Sequence, residues 1–154
     1  MMTTVKSVSL LISAIVLLST CKKESQSDVD EELIKQYITE QGLDATRHNS
    51  GLYYVITKSG NGSTFPGIYS NVEVRYKGYL TDGSVFDQTS GDETRTFNLS
   101  GLISGWQYGI PLLRKDGEGI FIVPSQLGYG GNARTGIPAN SVLVFEIELV
   151  DFSN

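Results

Sequence analysis

The alternation at the C-terminal end of the chain constrains its fold more than any other feature. Across 142–152, Leu143, Phe145, Ile147 and Leu149 share one parity, and Val142, Val144, Glu146 and Glu148 share the other. Side chains alternate faces with period two in an extended strand, so one face of this strand is wholly apolar and has to cover a core. The opposite parity reads as mostly solvent-facing. Similar signals recur upstream. A β-rich run covers 52–56, and Val72, Val74 and Tyr76 alternate with Glu73, Arg75 and Lys77. That second strand resumes after Gly78 and closes at Thr81-Asp82-Gly83, a hairpin signal. A third strand is expected over 94–99 and a fourth over 120–123, stopped by Pro124. Between them Trp106, Ile110 and Leu113 stand at helical spacing, which predicts a short helix over 105–113. The expected class is α+β, a five-stranded antiparallel sheet with one short helix.

The composition removes most other chemistries. With 154 residues the chain can bury a core without staples. Its single cysteine permits no intramolecular disulfide and no zinc cluster. Its single histidine, His48, sits in the polar joint Arg47-His48-Asn49-Ser50 and reads as exposed. A net charge of −5 argues against nucleic acid as a partner, because phosphate binding needs clustered Lys and Arg. The Gly128-Tyr129-Gly130-Gly131 stretch follows Pro124 and precedes no apolar helical run. It therefore lacks the strand before and helix after that a phosphate-cradling loop requires. Glu146 and Glu148 lie on one strand face that reads as wet, which does not fit a glycosidase pair. No metal site and no cofactor are expected.

The N-terminal region reads as a targeting segment. Lys6 is the only charge before Cys21, and positions 8–18 are an apolar run too short for a spanning helix. Such a run fits the central region of a signal peptide. Leu18-Ser19-Thr20-Cys21 resembles the lipobox of bacterial lipoproteins, with Thr20 in place of the usual Gly or Ala. The expectation is a lipoprotein signal peptide over 1–20, lipidation of Cys21 and attachment to a membrane through that lipid. The expected location is the bacterial cell envelope, on the periplasmic or outer-membrane face or exposed at the surface. Residues 21–44 then comprise the lipidated cysteine, a polar tether and an acidic amphipathic helix over about 28–41. Ser27 or Asp28 caps that helix, and Asp30, Glu31 and Glu32 lie near the positive end of its dipole. Leu33, Ile34, Tyr37 and Ile38 recur at helical spacing, and Gly42 stops the run. The apolar stripe packs on the main domain, 45–154, or on a second copy; a solvated tether helix is the alternative.

What remains is aromatic. The chain carries Val74-Arg75-Tyr76-Lys77-Gly78-Tyr79-Leu80, then Asp82-Gly83-Ser84-Val85-Phe86-Asp87 and Phe97-Asn98-Leu99. It continues with Leu102-Ile103-Ser104-Gly105-Trp106-Gln107-Tyr108-Gly109 and Pro124-Ser125-Gln126-Leu127-Gly128-Tyr129-Gly130. The last motif is Ile137-Pro138-Ala139-Asn140-Ser141-Val142-Leu143-Val144-Phe145-Glu146. Taken in order, these motifs resemble the FKBP family of peptidyl-prolyl cis-trans isomerases, in particular its bacterial lipoprotein members. The resemblance covers about 50–152.

The resemblance implies a five-stranded antiparallel sheet wrapped around a short helix, with an apolar pocket between them. It implies Trp106 as the pocket floor, Tyr76, Phe86 and Phe145 as aromatic walls, and Leu102 and Ile103 as a rim that meets the ligand. Tyr129 matches the tyrosine whose hydroxyl holds a substrate carbonyl, and Ile137 matches the apolar tip of a flap. Asp87 matches the carboxylate beside the pocket, where it orients the Tyr76 hydroxyl or polarises the bound amide. Implied partners are proline-containing polypeptides and macrolide inhibitors. Arg95 departs from the aromatic that animal members carry there, and Ala139 replaces a frequent second proline. The flap over 129–138 reads slightly short, with Arg134 and Thr135 near its tip. Arg95 and Arg134 are expected to favour acidic residues beside the proline. The leading expectation is an isomerase that assists the folding of exported proteins. A non-catalytic binding module or chaperone-like lipoprotein is the alternative, and a lipoprotein whose acidic helix pairs two copies is a third reading.

Overall fold

The computed structural model describes residues 24–154, so the expected signal peptide and the lipidation site at Cys21 lie outside the described residues. A helix, α1 (Gln26–Gln41), precedes strands β1 (Thr46–Arg47), β2 (Tyr53–Lys58) and β3 (Asn71–Leu80). Strands β4 (Val85–Gln88) and β5 (Arg95–Asn98) lead to helix α2 (Ser104–Gly109), and β6 (Gly117–Val123) and β7 (Leu143–Ser153) complete the chain. Among the described residues, seven strands form one antiparallel sheet in the order β1-β2-β6-β7-β3-β4, with β5 also paired to β3. Along the β3 edge away from β7, Asn71–Val74 pair with β5, and Lys77, Gly78 and Tyr79 pair with β4.

The class is α+β as expected, but the sheet has seven strands rather than five. The additional two are β1, too short at 2 residues to show any period, and β4, whose Val-Phe-Asp-Gln has no alternation. The helix expected over 105–113 divides into α2 and a 3-10 turn, Ile110–Leu112. Pro111 lacks the N–H that would continue the α-helical ladder.

The C-terminal strand has a second use that its alternation concealed. Its register against β3 shifts, because Val74 faces Leu149 while Glu73 faces Asp151, leaving Val150 as a bulge. A bulge reverses parity. Phe152 therefore packs with Leu149 on the core side although the two differ in parity. The parity read as solvent-facing is also partly buried: Val142 is 2% and Val144 0% exposed. Both lie beneath α1, whose Ile34 and Tyr37 pack with them and with Tyr53 and Ile122. Only Glu146 on that parity is exposed, while Glu148 is half-buried and pairs with Arg75 at 2.9 Å. The cap of α1 is Ser25, in a capping box with Asp28, rather than Ser27 or Asp28.

On the other face, α2 lies directly on β6. A Cβ at Gly105 would stand 2.5 Å from Val123 Cγ1, and one at Gly109 would stand 2.7 Å from Phe121 Cδ1. The two glycines are one helical turn apart, so the helix presents bare backbone to the sheet. We expect Gly105→Ala and Gly109→Ala each to lower unfolding free energy by about 1–3 kcal/mol, the cost of overpacking. Gly101→Ala, with nothing within 4 Å of its Cβ, serves as the control. Chemical denaturation checks this, and equal effects at all three positions would refute the packing argument.

Candidate active site

A cavity of about 500 Å³ lies between α2, the twisted sheet and the loop over 127–138. At its centre Trp106, 5% exposed, is met edge-to-face by three rings. Their centroids are 5.1 Å away for Tyr76, 5.4 Å for Phe145 and 6.0 Å for Phe97. Phe86 meets Phe145 at 5.6 Å in the same manner. Edge-to-face contact is the favoured geometry for such rings, because positive edges meet negative faces. Among the described residues, Trp106 Nε1 is the one buried side-chain polar atom with no hydrogen-bond partner.

Each ring is placed by local chain chemistry. A register shift between β3 and β4 pairs Asp87 with Gly78 and Val85 with Tyr79, which leaves Phe86 unpaired and turned into the cavity. Gly78 makes the room. A Cβ there would lie 2.6 Å from Phe86 Cε2 and 2.9 Å from Phe145 Cε1. Leu102 and Ile103, which line the cavity, lead into α2, and the Ile103 carbonyl accepts the N–H of Trp106 at 3.0 Å. Gln107 Nε2 donates to the Leu102 carbonyl at 2.7 Å, tying that rim to the helix. Tyr129 follows a 3-10 turn, Ser125–Leu127. At the tip of the flap, Arg134 and Ile137 form a reciprocal backbone pair at 2.8 and 2.9 Å across Thr135 and Gly136. Directly opposed residues present their side chains to the same side, and both Arg134 and Ile137 line the cavity.

One wall carries charge. Tyr76 Oη donates to Asp87 Oδ2 at 2.5 Å, and Arg95 Nη1 donates to Tyr76 Oη at 2.6 Å and to Asp87 Oδ1 at 3.1 Å. Burial pushes the Tyr76 phenol up to about 12, helped by the adjacent Asp87 carboxylate. Burial also pushes the Asp87 carboxyl up, but the hydrogen bonds from Tyr76 and Arg95 outweigh it and hold Asp87 below its ordinary value. Around neutral pH the trio is therefore Tyr–OH, carboxylate and guanidinium, with no group poised to exchange a proton.

Tyr76, Phe86, Asp87, Leu102, Ile103, Trp106, Tyr129, Ile137 and Phe145 thus converge on one cavity. Sequence reasoning did not assign Phe97 or Thr135 to it, although both line it. Arg95, expected to favour acidic residues beside the proline, is engaged by Asp87 and Tyr76. Arg134 stacks 5.5 Å over the Tyr129 ring and forms no ion pair among the described residues. Phe97 stands two residues from Arg95 on β5, so strand parity was the signal that would have found it.

The sheet wrapped on a short helix, with an aromatic cavity between them, defines a recognisable class. Residues 62–150 match the FKBP-type peptidyl-prolyl cis-trans isomerase family, and the chain belongs to that family. It is 37% identical over 135 residues to the isomerase FkpA of Buchnera aphidicola, covering 86% of this chain and 53% of that protein. The crystal structure of FkpA from Escherichia coli superposes with a TM-score of 0.73 at 34% identity, covering 83% of this chain and 59% of that one. A peptidyl-prolyl cis-trans isomerase from Pseudomonas syringae gives 0.70 at 27% identity, over 85% and 98% of the two chains. The chain spans about half the length of the curated relatives it matches.

The lowered Asp87 value has a sign that can be tested. A carboxyl with a depressed folded-state pKa contributes stability above its unfolded value, near 3.9, and loses it as pH falls through the folded value. We expect Asp87→Asn to be less stable than the parent at pH 6 and the difference to close below about pH 4. Urea midpoints across pH 3–7 check this, and a gap that widened on acidification would contradict it.

Proposed function

We propose that this chain is a peptidyl-prolyl cis–trans isomerase that takes an X–Pro bond into the cavity over Trp106. The observation that carries the reading is the ring cluster around Trp106, with the Tyr129 loop and the Ile137 flap facing it. Rotation about X–Pro is slow because twisting breaks amide resonance, a barrier of about 18–20 kcal/mol. Lowering that barrier requires no nucleophile, metal or proton relay. The planar amide is more dipolar than the twisted one, so a dry aromatic cavity favours the twist. A hydrogen bond that fits only the twisted carbonyl adds binding available in the transition state alone.

In this reading Trp106 is the floor under the proline ring, and Tyr76, Phe86 and Phe145 are its walls. Leu102 and Ile103 form the rim, and Ile137 closes over the ligand. Tyr129 donates its hydroxyl to the substrate carbonyl. Asp87, held by Tyr76 and Arg95, supplies a fixed dipole beside the amide rather than a base. Macrolide inhibitors of the family compete for the same cavity.

The purified chain, assayed on a panel of X–Pro peptides, is expected to accelerate isomerisation. Tyr129→Phe should lower kcat/KM about tenfold, the worth of one hydrogen bond, and Trp106→Ala should lower it further. A macrolide should suppress the rate. A folded chain that leaves every peptide at the uncatalysed rate, while Trp106 fluorescence still responds to them, would establish a binding module instead. On the same panel Arg134→Glu tests the flap charge: it should demote peptides with an acidic residue beside the proline, whereas Arg95, already neutralised by Asp87, should matter less. An unchanged ranking would remove Arg134 from specificity.

The proposed setting is the bacterial cell envelope, with the chain cut before Cys21 and held on a membrane by lipid on that residue. The lipobox-like Leu18-Ser19-Thr20-Cys21 supports it. Its proposed substrates are proline bonds of exported proteins. Metabolic labelling with a fatty-acid analogue should mark the parent chain but not Cys21→Ser, and equal labelling of both would overturn the anchor.

A further inference from the structure

We propose that Asp30, on α1, is a positioning residue for Tyr129, acting through Ser125. The role of Tyr129 rests on the isomerase reading; the linkage to α1 rests on geometry alone. Asp30 is 1% exposed. Burying a carboxyl group costs several kcal/mol unless hydrogen bonds replace its water. Here Oδ2 accepts the backbone N–H of Ser125 at 2.8 Å and its Oγ–H at 2.6 Å, while Oδ1 accepts Gln26 Nε2 at 2.7 Å. Expected from sequence only near the positive end of the helix dipole, Asp30 also reaches across 95 positions to the root of the loop.

Ser125 is itself wholly buried and uses all its polar groups. Its N–H and hydroxyl point to α1, and its carbonyl accepts the N–H of Gly128 at 3.0 Å and of Gly130 at 2.8 Å. Those two amides flank Tyr129. A continuous set of hydrogen bonds therefore runs from the helix to both backbone neighbours of the residue that faces the cavity. Adhesion of α1 does not require it, because Ile34 and Tyr37 already bury α1 against the sheet and Tyr53 Oη donates to Glu31 at 2.6 Å. An apolar pair at 30 and 125 would also hold the helix, but without direction. The carboxyl group fixes the orientation of one serine, and the serine carbonyl fixes the turn. Releasing that turn would leave Tyr129 near the cavity but spending less time where its hydroxyl meets a twisted carbonyl. The loss should then appear in kcat rather than KM, since the interaction belongs to the transition state.

The test is a double-mutant cycle between Asp30→Ala and Tyr129→Phe, read as kcat and KM on one X–Pro peptide. Asp30→Ala should lower kcat about fivefold with KM within about twofold, and should cost less than about twofold once Tyr129 is already Phe. Asp30→Asn, which keeps an acceptor for Ser125, should recover most of the lost kcat. Losses that multiply independently, or an unchanged kcat, would overturn the proposal. If Asp30→Ala does not fold, Ser125→Ala, which removes only the hydroxyl donor, takes its place in the cycle. A second readout needs no activity. Amide exchange at Gly128 and Gly130 should quicken about tenfold in the Asp30 or Ser125 variant while Ile147 in β7 is unaffected, and unchanged exchange at both glycines would refute the linkage. A parent chain without catalysis would defeat the isomerase reading and leave the linkage to be decided by exchange.

Discussion

Helix α2 rests on β6 at the distance of a bare backbone because Gly105 and Gly109 turn no side chain toward Val123 and Phe121. The depth of the cavity follows from that contact. A helix held even a carbon's width further out would lift Trp106 from the Tyr76, Phe97 and Phe145 edges that surround it. On the facing strand Gly78 plays the matching part for Phe86 and Phe145. The aromatic box is thus made by removing three Cβ atoms as much as by supplying the rings, and dispersion between close-packed rings then holds it.

The electrostatics of the site work by immobility. Tyr76, Asp87 and Arg95 satisfy one another, and their perturbed values keep each in a single charge state through neutral pH. That suits a reaction whose barrier is amide resonance rather than proton transfer. The same economy holds behind the sheet, where α1 packs over Val142 and Val144 and contacts the root of the Tyr129 loop. The two faces of the sheet therefore serve different ends: the inner face shapes a cavity, and the outer one anchors the helix that reaches its loop.

Much of this was legible in the sequence, for reasons that differ between residues. Leu143, Phe145, Ile147 and Leu149 announced a buried face because period two is a direct consequence of the pleat. The order of the Tyr76, Phe86, Trp106, Tyr129 and Ile137 motifs brought the family into view, and all five converge on one cavity. Strands β1 and β4 were invisible because a pair of residues, or a bulged four-residue edge, carries no period. The pairing of Arg95 was not legible because its partners, Tyr76 and Asp87, lie on neighbouring strands, and cross-strand pairing is not local information. Val144 reads as wet from a strand parity it shares with Glu146 and Glu148, yet α1 covers it, and nothing local announces the burial of Asp30, whose partner Ser125 lies 95 positions away.

A proline ring held in the cavity over Trp106, beside the Tyr129 hydroxyl, would be revealed by intermolecular nuclear Overhauser contacts with a bound X–Pro peptide. Trp106 is the only tryptophan, so its indole protons are unambiguous reporters. Contacts are expected from the proline ring to the Trp106 indole and to Phe145, with the preceding residue's protons near Tyr129 and Ile137. Contacts confined to the exposed Phe65 and Tyr69 side chains, with the indole silent, would contradict that placement.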